Sequence, residues 1–536
     1  MKRSRLPVRR KRLLKGAVLG AAATAGAVSG LRARRERRLT RAPGLTAPVT
    51  IERDRLGVPR IIAATWKDAL FGQGFATAED RLWQMDLHRR AALGRLSEIV
   101  GPQTLESDRL MRLLGMPRIA RQIVEEMSAE ERAAAESYSA GVNHFIAHGA
   151  LPLEFRATRH RPEPWEPADC VAVFRLLAWV LSGSLDADLT AEQIRLALGQ
   201  EWAEAIYRGG YSEHEPIIRE PVVPAVAGAP QAASPLPVFP QLGASNAWAV
   251  SAERSATGGA LLANDPHLEL RNPSIWHEAR IEAPGFRVAG MCVPGIPAVV
   301  IGRTPEIAWG VTAALTPQVF LYREELSEDG ASVRNDGEWQ PLHSHDEIIG
   351  VKGQADEVLT IRYTPRGPLV SDLLPQPGGQ TVSLHWTGME PGHEIGVLLD
   401  AARATTLDEM LPRFGNFTTP PLSVAVADAA GEIAMAGIGR MATRQAGPGL
   451  LPPEEFPPRY VPPEEMPLER NPERGWVACA NNCLVDERYP HPIHGYWDPG
   501  FRYRRIVREL EARELHSPAS FRALQLDVRS VHAEEV

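Results

Sequence analysis

The chain changes its hydrophobic pattern close to its midpoint. Near the start, Val49-Thr50-Ile51-Glu52-Arg53-Asp54 alternates with the period of a half-buried strand, Leu56-Gly57-Val58-Pro59 supplies a turn, and Arg60-Ile61-Ile62 resumes the extended run. That spacing predicts a hairpin. Over residues 77–100, Leu82, Met85, Leu87 and Leu93 recur among charged neighbours at helical spacing, and similar patterns fill residues 110–146. Pro162, Pro164 and Pro167 punctuate a turn around Trp165, after which the almost continuous apolar run 170–181 predicts a buried helix. The first part is mainly helical.

Periodicity disappears between residues 216 and 241, where prolines, alanines and glycines dominate, so this stretch reads as a linker or an excised spacer. Beyond it the runs shorten. Trp248-Ala249-Val250-Ser251 and Ala260-Leu261-Leu262-Ala263, separated by a turn at Thr257-Gly258-Gly259, predict two short strands, and further strand-like runs cover 286–291 and 298–301. Helical patterning returns at 407–414 and 503–515. The second part is mainly β.

With 536 residues, 44% of them hydrophobic, the chain can bury large cores and suggests two to four domain-sized units. The net charge of -7 hides a strongly basic stretch over residues 1–41 ahead of an acidic body, which argues against nucleic acid as a partner. Residues 1–41 are laid out like an export signal: Arg9-Arg10-Lys11-Arg12-Leu13-Leu14-Lys15 precedes an alanine-rich apolar stretch at 16–30. That stretch is too short for a confident membrane span, although the arginines at 32, 34, 35, 37 and 38 suit association with a membrane face. Four cysteines, Cys170, Cys292, Cys479 and Cys483, are too few for a disulfide framework; Cys479 and Cys483 pairing is the alternative to buried thiols.

The strongest chemical candidate is Ser245, in Gly243-Ala244-Ser245-Asn246-Ala247-Trp248, where the spacer ends and the first strand begins. A cut between Ala244 and Ser245 would put a hydroxyl nucleophile and a free α-amine base on one residue, which suffices for acyl transfer. The rival readings are a serine that merely starts a strand and a Gly-x-Ser-x-Gly elbow. The elbow is disfavoured because Ala247 replaces its second glycine and a strand follows where a helix is needed. A Ser245-His267-Asp265 triad is a third option, but Asp265 and His267 lie too close in sequence to diagnose one.

These residues resemble the penicillin acylase family of N-terminal-nucleophile hydrolases, which includes cephalosporin and acyl-homoserine-lactone acylases. The resemblance rests on Arg53-Asp54-Arg55-Leu56-Gly57-Val58-Pro59, Ala78-Glu79-Asp80-Arg81-Leu82-Trp83-Gln84-Met85-Asp86 and Tyr138-Ser139-Ala140-Gly141-Val142-Asn143 in the first part. In the second part it rests on Ser245-Asn246-Ala247-Trp248, Asn264-Asp265-Pro266-His267, Ala308-Trp309-Gly310-Val311-Thr312, Ala480-Asn481-Asn482 and Phe501-Arg502-Tyr503-Arg504-Arg505-Ile506.

The resemblance implies an α+β fold, an αββα sandwich of two antiparallel sheets with a mainly helical small-subunit region. It implies a small subunit over 42–218, a spacer over 219–244 removed by self-cleavage before Ser245, and a large subunit over 245–536 that is expected to be truncated at its C-terminus. Carried over by position, Ser245 is the nucleophile, the Ala313 backbone N–H and the Asn481 side-chain amide hold the oxyanion, and Arg502 supports the amine and Asn481. His267 is expected to face the substrate pocket. Structural calcium is disfavoured because Thr316-Pro317-Gln318-Val319-Phe320 lacks the carboxylates it needs, although Asp188 resembles one remote ligand, and no cofactor is required. The implied partners are an N-acylated small substrate and the cleaved subunit itself, in an exported heterodimer. A serine esterase with a histidine base and a non-catalytic exported binding protein are the alternatives.

Overall fold

The computed structural model describes residues 37–40, 42–203, 217, 243–373, 379–443, 449–486 and 488–535. The expected export signal at 1–41, apart from 37–40, and the expected spacer at 219–244, apart from 243 and 244, lie outside the described residues. Among the described residues no helix is long and apolar enough to cross a membrane.

The hairpin read at the start is present as strands Val49–Arg53 and Pro59–Ile62, with Ile51 opposite Ile61. The long helix begins earlier than its periodicity suggests, spanning Trp66–Ala92, because the Thr65 hydroxyl caps the Asp68 N–H while Gly72 and Gly74 interrupt the apolar pattern. Those glycines have a packing reason. A Cβ at Gly74 would lie 2.1 Å from the Tyr138 carbonyl oxygen, and one at Gly141 would lie 2.0 Å from that of Phe71. Helix Ala129–His148 therefore crosses Trp66–Ala92 backbone to backbone, closer than any side chain allows. The apolar run near 170–181 is the buried helix Pro167–Val180.

A ten-stranded sheet runs in the order Arg37–Thr40, Val49–Arg53, Pro59–Ile62, His277–Ala283, Phe286–Cys292, Ile301–Arg303, Ile307–Ala313, Leu422–Asp428, Ile433–Ile438, Leu468–Arg470. Its pairs are antiparallel except Pro59–Ile62 with His277–Ala283, which is parallel and joins the first part of the chain to the second. A smaller sheet holds Ala244–Val250 between Trp476–Cys479 and Leu261–His267.

Alternation on these strands sorts the side chains into layers. Val424 and Val426 enter the large core shared with the helices of the first part, whereas Ala425 and Ala427 face the smaller sheet and meet Ala247, Ala249 and Val477. Trp248, Val250 and Trp476 point the other way, against Tyr503, Ile506 and Leu510 of helix Phe501–Glu511 and Phe521 of helix Pro518–Gln525. The order is helix, sheet, sheet, helix, an α+β sandwich. Small alanines between the sheets let them approach closely around the end of the strand that carries Ser245.

Two sequence expectations shift, and the reading of the cysteines as buried thiols holds. The run at 298–301 is a strand only from Ile301 to Arg303, because Pro294, Gly295 and Pro297 turn the chain just before it, although Ala298, Val299 and Val300 are buried. Pro412 reduces the 407–414 helix to Leu407–Met410 followed by a 3-10 turn. Cys479 and Cys483 are both free, buried thiols.

One buried group makes stability depend on pH. His88 is 3% exposed, and burial, helped by Arg271 and Arg81, pushes its pKa from 6.5 down to about 3. The unfolded chain takes up this proton near 6.5 and the folded chain does not, so the contribution is complete above pH 6.5 and is lost as pH falls toward 3. The loss approaches about 1.4 kcal/mol per pH unit inside that window. His88→Gln should flatten the free energy of urea unfolding between pH 6 and 4 relative to the parent; parallel curves would contradict this assignment.

Candidate active site

Ser245 is the second residue of the central strand of the smaller sheet and is 8% exposed. Strand alternation turns its side chain inward with Ala247 and Ala249, toward the larger sheet. There it meets Asn481, which follows the partner strand Trp476–Cys479 in a left-handed turn with φ 60 and is 2% exposed. The Ser245 N–H donates to Asn481 Oδ1 at 2.6 Å, and Asn481 Nδ2 donates to Ser245 Oγ at 3.1 Å and to the Ala313 carbonyl at 2.9 Å. One amide side chain thus touches the nitrogen and the hydroxyl of the same serine.

Arg502 fixes which way that amide points. From the first turn of helix Phe501–Glu511, its Nη2 donates to Asn481 Oδ1 at 3.1 Å and to Asp498 Oδ2 at 2.9 Å. Its Nη1 donates to the Ser245 carbonyl at 2.8 Å and to Asn246 Oδ1 at 2.7 Å. A cation beside Oδ1 holds the oxygen on the Ser245 nitrogen and leaves Nδ2 aimed at the hydroxyl.

Ala313 ends the strand Ile307–Ala313 in the larger sheet. The next residue, Ala314, donates its N–H to Pro421 O at 3.1 Å, so the adjacent pair Ala313–Leu422 is a non-hydrogen-bonded one. The Ala313 N–H therefore turns away from strand Leu422–Asp428 and toward the edge that Ser245 approaches. Asn481 Nδ2 bonds both the serine hydroxyl and the Ala313 carbonyl, and Ala313 and Ser245 line the same pocket.

His267 behaves differently from its expectation. It pairs with Ala244 across the small sheet, which puts its ring on the face opposite the Ser245 hydroxyl. Its Nε2 lies 2.6 Å from Asp265 Oδ2 and 3.3 Å from Asn246 Nδ2, its side chain is 41% exposed, and it does not line the pocket. The His267–Asp265 pair exists, but it does not reach Ser245, so the disfavoured Ser245-His267-Asp265 triad is not assembled.

The pocket that opens at Ser245 is apolar. Its walls are Phe174, Leu177 and Leu181 from the first part of the chain, and Trp309, Val311, Leu422, Val424, Phe414 and Phe417 from the second. Gly243, Ala244 and Ala313 line the same space, and no charged side chain does among the described residues. The pocket lies on the helical side of the large sheet, where inward-facing strand residues of its central strands meet helix Pro167–Val180. Asp188, the remote acidic residue, accepts the Gly449 N–H at 3.0 Å, and no group of three or more His, Cys, Asp or Glu suited to a metal occurs among the described residues.

Two residues of the site carried no role in the sequence reading. Asn264 faces inward, opposite Ala247, and bonds to both neighbouring strands; Gly310 lies directly against it. The signal available was a polar residue at a position of strand Leu261–His267 that alternation turns toward the larger sheet, where it needs hydrogen-bond partners.

The chain has known relatives. Residues 48–536 match the family described as Penicillin amidase. The acyl-homoserine lactone acylase QuiP of Pseudomonas aeruginosa is 31% identical over 518 residues, covering 91% of this chain and 61% of the relative. The penicillin acylase 2 proenzyme of Pseudomonas sp. strain SE83 is 31% identical over 509 residues, covering 91% of this chain and 66% of the relative. The chain thus spans roughly six tenths of the length of these curated relatives. Among solved structures, the thermostable penicillin G acylase from Alcaligenes faecalis is 24% identical, with a TM-score of 0.46 over 52% of this chain and 51% of that one. With the family matched from residue 48 to the last residue, the chain belongs to the penicillin amidase family.

Proposed function

We propose that the protein is a self-processing acylase that hydrolyses the linear amide of an N-acylated small molecule bearing an apolar acyl group. The observation that carries this reading is that Asn481 holds both the nitrogen and the hydroxyl of Ser245 at the mouth of an apolar pocket. Penicillins and acyl-homoserine lactones are the substrate types named in its relatives.

Self-cleavage comes first. Ser245 Oγ attacks the Ala244 carbonyl carbon, the C–N bond breaks as an ester forms and the Ser245 nitrogen leaves as the free amine carrying the hydroxyl proton, and water then hydrolyses the ester to release the Ala244 carboxylate and restore the Ser245 hydroxyl. Gly243 suits the approach to this bond, because a Cβ there would lie 2.1 Å from the His267 carbonyl oxygen. Removal of residues before Ser245 also clears Gly243 and Ala244 from the pocket wall. The parallel pairing of Pro59–Ile62 with His277–Ala283 and a core built from both parts would hold the two products together as a heterodimer.

In turnover the freed amine donates to Asn481 Oδ1 and accepts the hydroxyl proton through water, while the nearby Arg502 charge disfavours its protonated form. The substrate carbonyl becomes a tetrahedral oxyanion held by Ala313 N–H and Asn481 Nδ2; the amine leaves, and a second water releases the acid. Export accords with the basic residues 2–15 ahead of the apolar stretch 16–30.

The pocket predicts the acyl preference. Each added methylene buries about 0.8 kcal/mol of apolar surface, so kcat/KM should rise about fourfold per carbon along a series of acyl p-nitroanilides until the pocket is filled. A glutaryl group would bring an unpaired carboxylate into that lining, which costs several kcal/mol. Glutaryl outperforming hexanoyl or phenylacetyl would refute the apolar assignment.

A further inference from the structure

We propose that Asn264 is a positioning residue that sets the distance between the nucleophile strand and the oxyanion strand; this rests on the acylase reading above. Its side chain spans the two sheets. Nδ2 donates to the Asn246 carbonyl at 2.6 Å, on the residue directly after the nucleophile, and to the Val311 carbonyl at 3.0 Å. Oδ1 accepts the Val311 N–H at 3.1 Å. Val311 is two residues before Ala313 on the same strand, so its N–H and C=O lie on the edge to which the Ala313 N–H also turns.

Among the described residues no strand of the smaller sheet is bonded along that edge, because the two sheets are stacked. Asn264 supplies an amide in place of a strand, bonding Val311 through both of its backbone groups as a paired residue would. Asn481 does the same two residues on, through the Ala313 carbonyl. The separation between Ser245 Oγ and the Ala313 N–H is therefore held by two asparagines, one that touches the reacting atoms and one that does not.

Gly310 completes the clamp. A Cβ at this position would lie 2.6 Å from Asn264 Cβ and 2.9 Å from Cγ, so any larger residue pushes the amide out of the gap. Two independent substitutions should then produce one defect. Asn264→Ala removes all three bonds, and Gly310→Ala displaces them while leaving Asn264 in place.

The test is steady-state hydrolysis of a hexanoyl p-nitroanilide by processed full-length protein, with active sites titrated so that only folded enzyme is counted. Both variants should lose about 100-fold in kcat, the size expected when reacting groups are misplaced by about 1 Å, with KM unchanged. Both should also cut slowly before Ser245, and the double variant should be no slower than either single one. A merely structural role would lower the melting temperature and leave the titrated kcat at the parent value, and that result overturns the proposal. Including Ser245→Ala separates the two levels. Undiminished hydrolysis by that variant overturns the acylase reading and the clamp together, whereas an inactive Ser245→Ala beside a normal Asn264→Ala and Gly310→Ala overturns the clamp alone.

Discussion

Ser245→Ala gives a folded chain that stays uncut and has no measurable amide hydrolysis. The side chain is inward-facing and 8% exposed, and loss of one hydroxyl leaves the alanine-rich contact between the sheets intact, so the fold persists. What disappears is the attacking oxygen for both reactions. Without it the Ala244–Ser245 bond remains an amide, and the residue 245 nitrogen, still bonded to Asn481 Oδ1, has no basicity to offer. The expectation is checked by mass spectrometry and by hydrolysis of an acyl p-nitroanilide on the same preparation. Retained hydrolysis would mean that another nucleophile does the work.

The second large effect belongs to Asn481. Its amide donates to Ser245 Oγ and to the Ala313 carbonyl and accepts from the Ser245 nitrogen and Arg502, so Asn481→Ala removes one oxyanion donor and the orienting acceptor of the amine. Loss of a single oxyanion donor typically slows turnover about 100- to 1000-fold. The fall should appear in kcat rather than KM, because the interaction strengthens only as negative charge develops on the substrate oxygen. Asn481→Asp should fare no better, since a carboxylate cannot donate to an oxyanion. A decrease confined to KM would place Asn481 in ground-state binding instead.

Local patterning carried the hairpin at the start, the helical first part and the strand-rich second part, because alternation and helical spacing are properties of short windows. It misplaced elements where one residue overrode the pattern, as at Pro294, Pro297 and Pro412, and where glycines masked the first turns of helix Trp66–Ala92. Layering was legible only in part. Ala425 and Ala427 belong between the sheets and Val424 and Val426 do not, yet which face meets which sheet depends on pairings between strands more than 100 residues apart, such as Ala313 with Leu422.

At the site, the junction of spacer and strand singles out Ser245, family motifs supply Ala313, Asn481 and Arg502, and no spacing rule could have joined residues separated by up to 257 positions. His267 shows the converse. It shares a short motif with Asp265 and sits one strand from the serine, but the period of two places its ring on the other face of the sheet. Asn264 belongs to that same motif, and its bonds to Val311 in the other sheet are a contact invisible in one dimension.

Intact-mass and N-terminal analysis of the purified protein tests the account most directly. Two fragments, the larger beginning with Ser245 and carrying an acyl adduct on that residue after rapid quenching with substrate, are the predicted result. An active enzyme recovered as one chain, with its Ala244–Ser245 peptide bond intact, would contradict it.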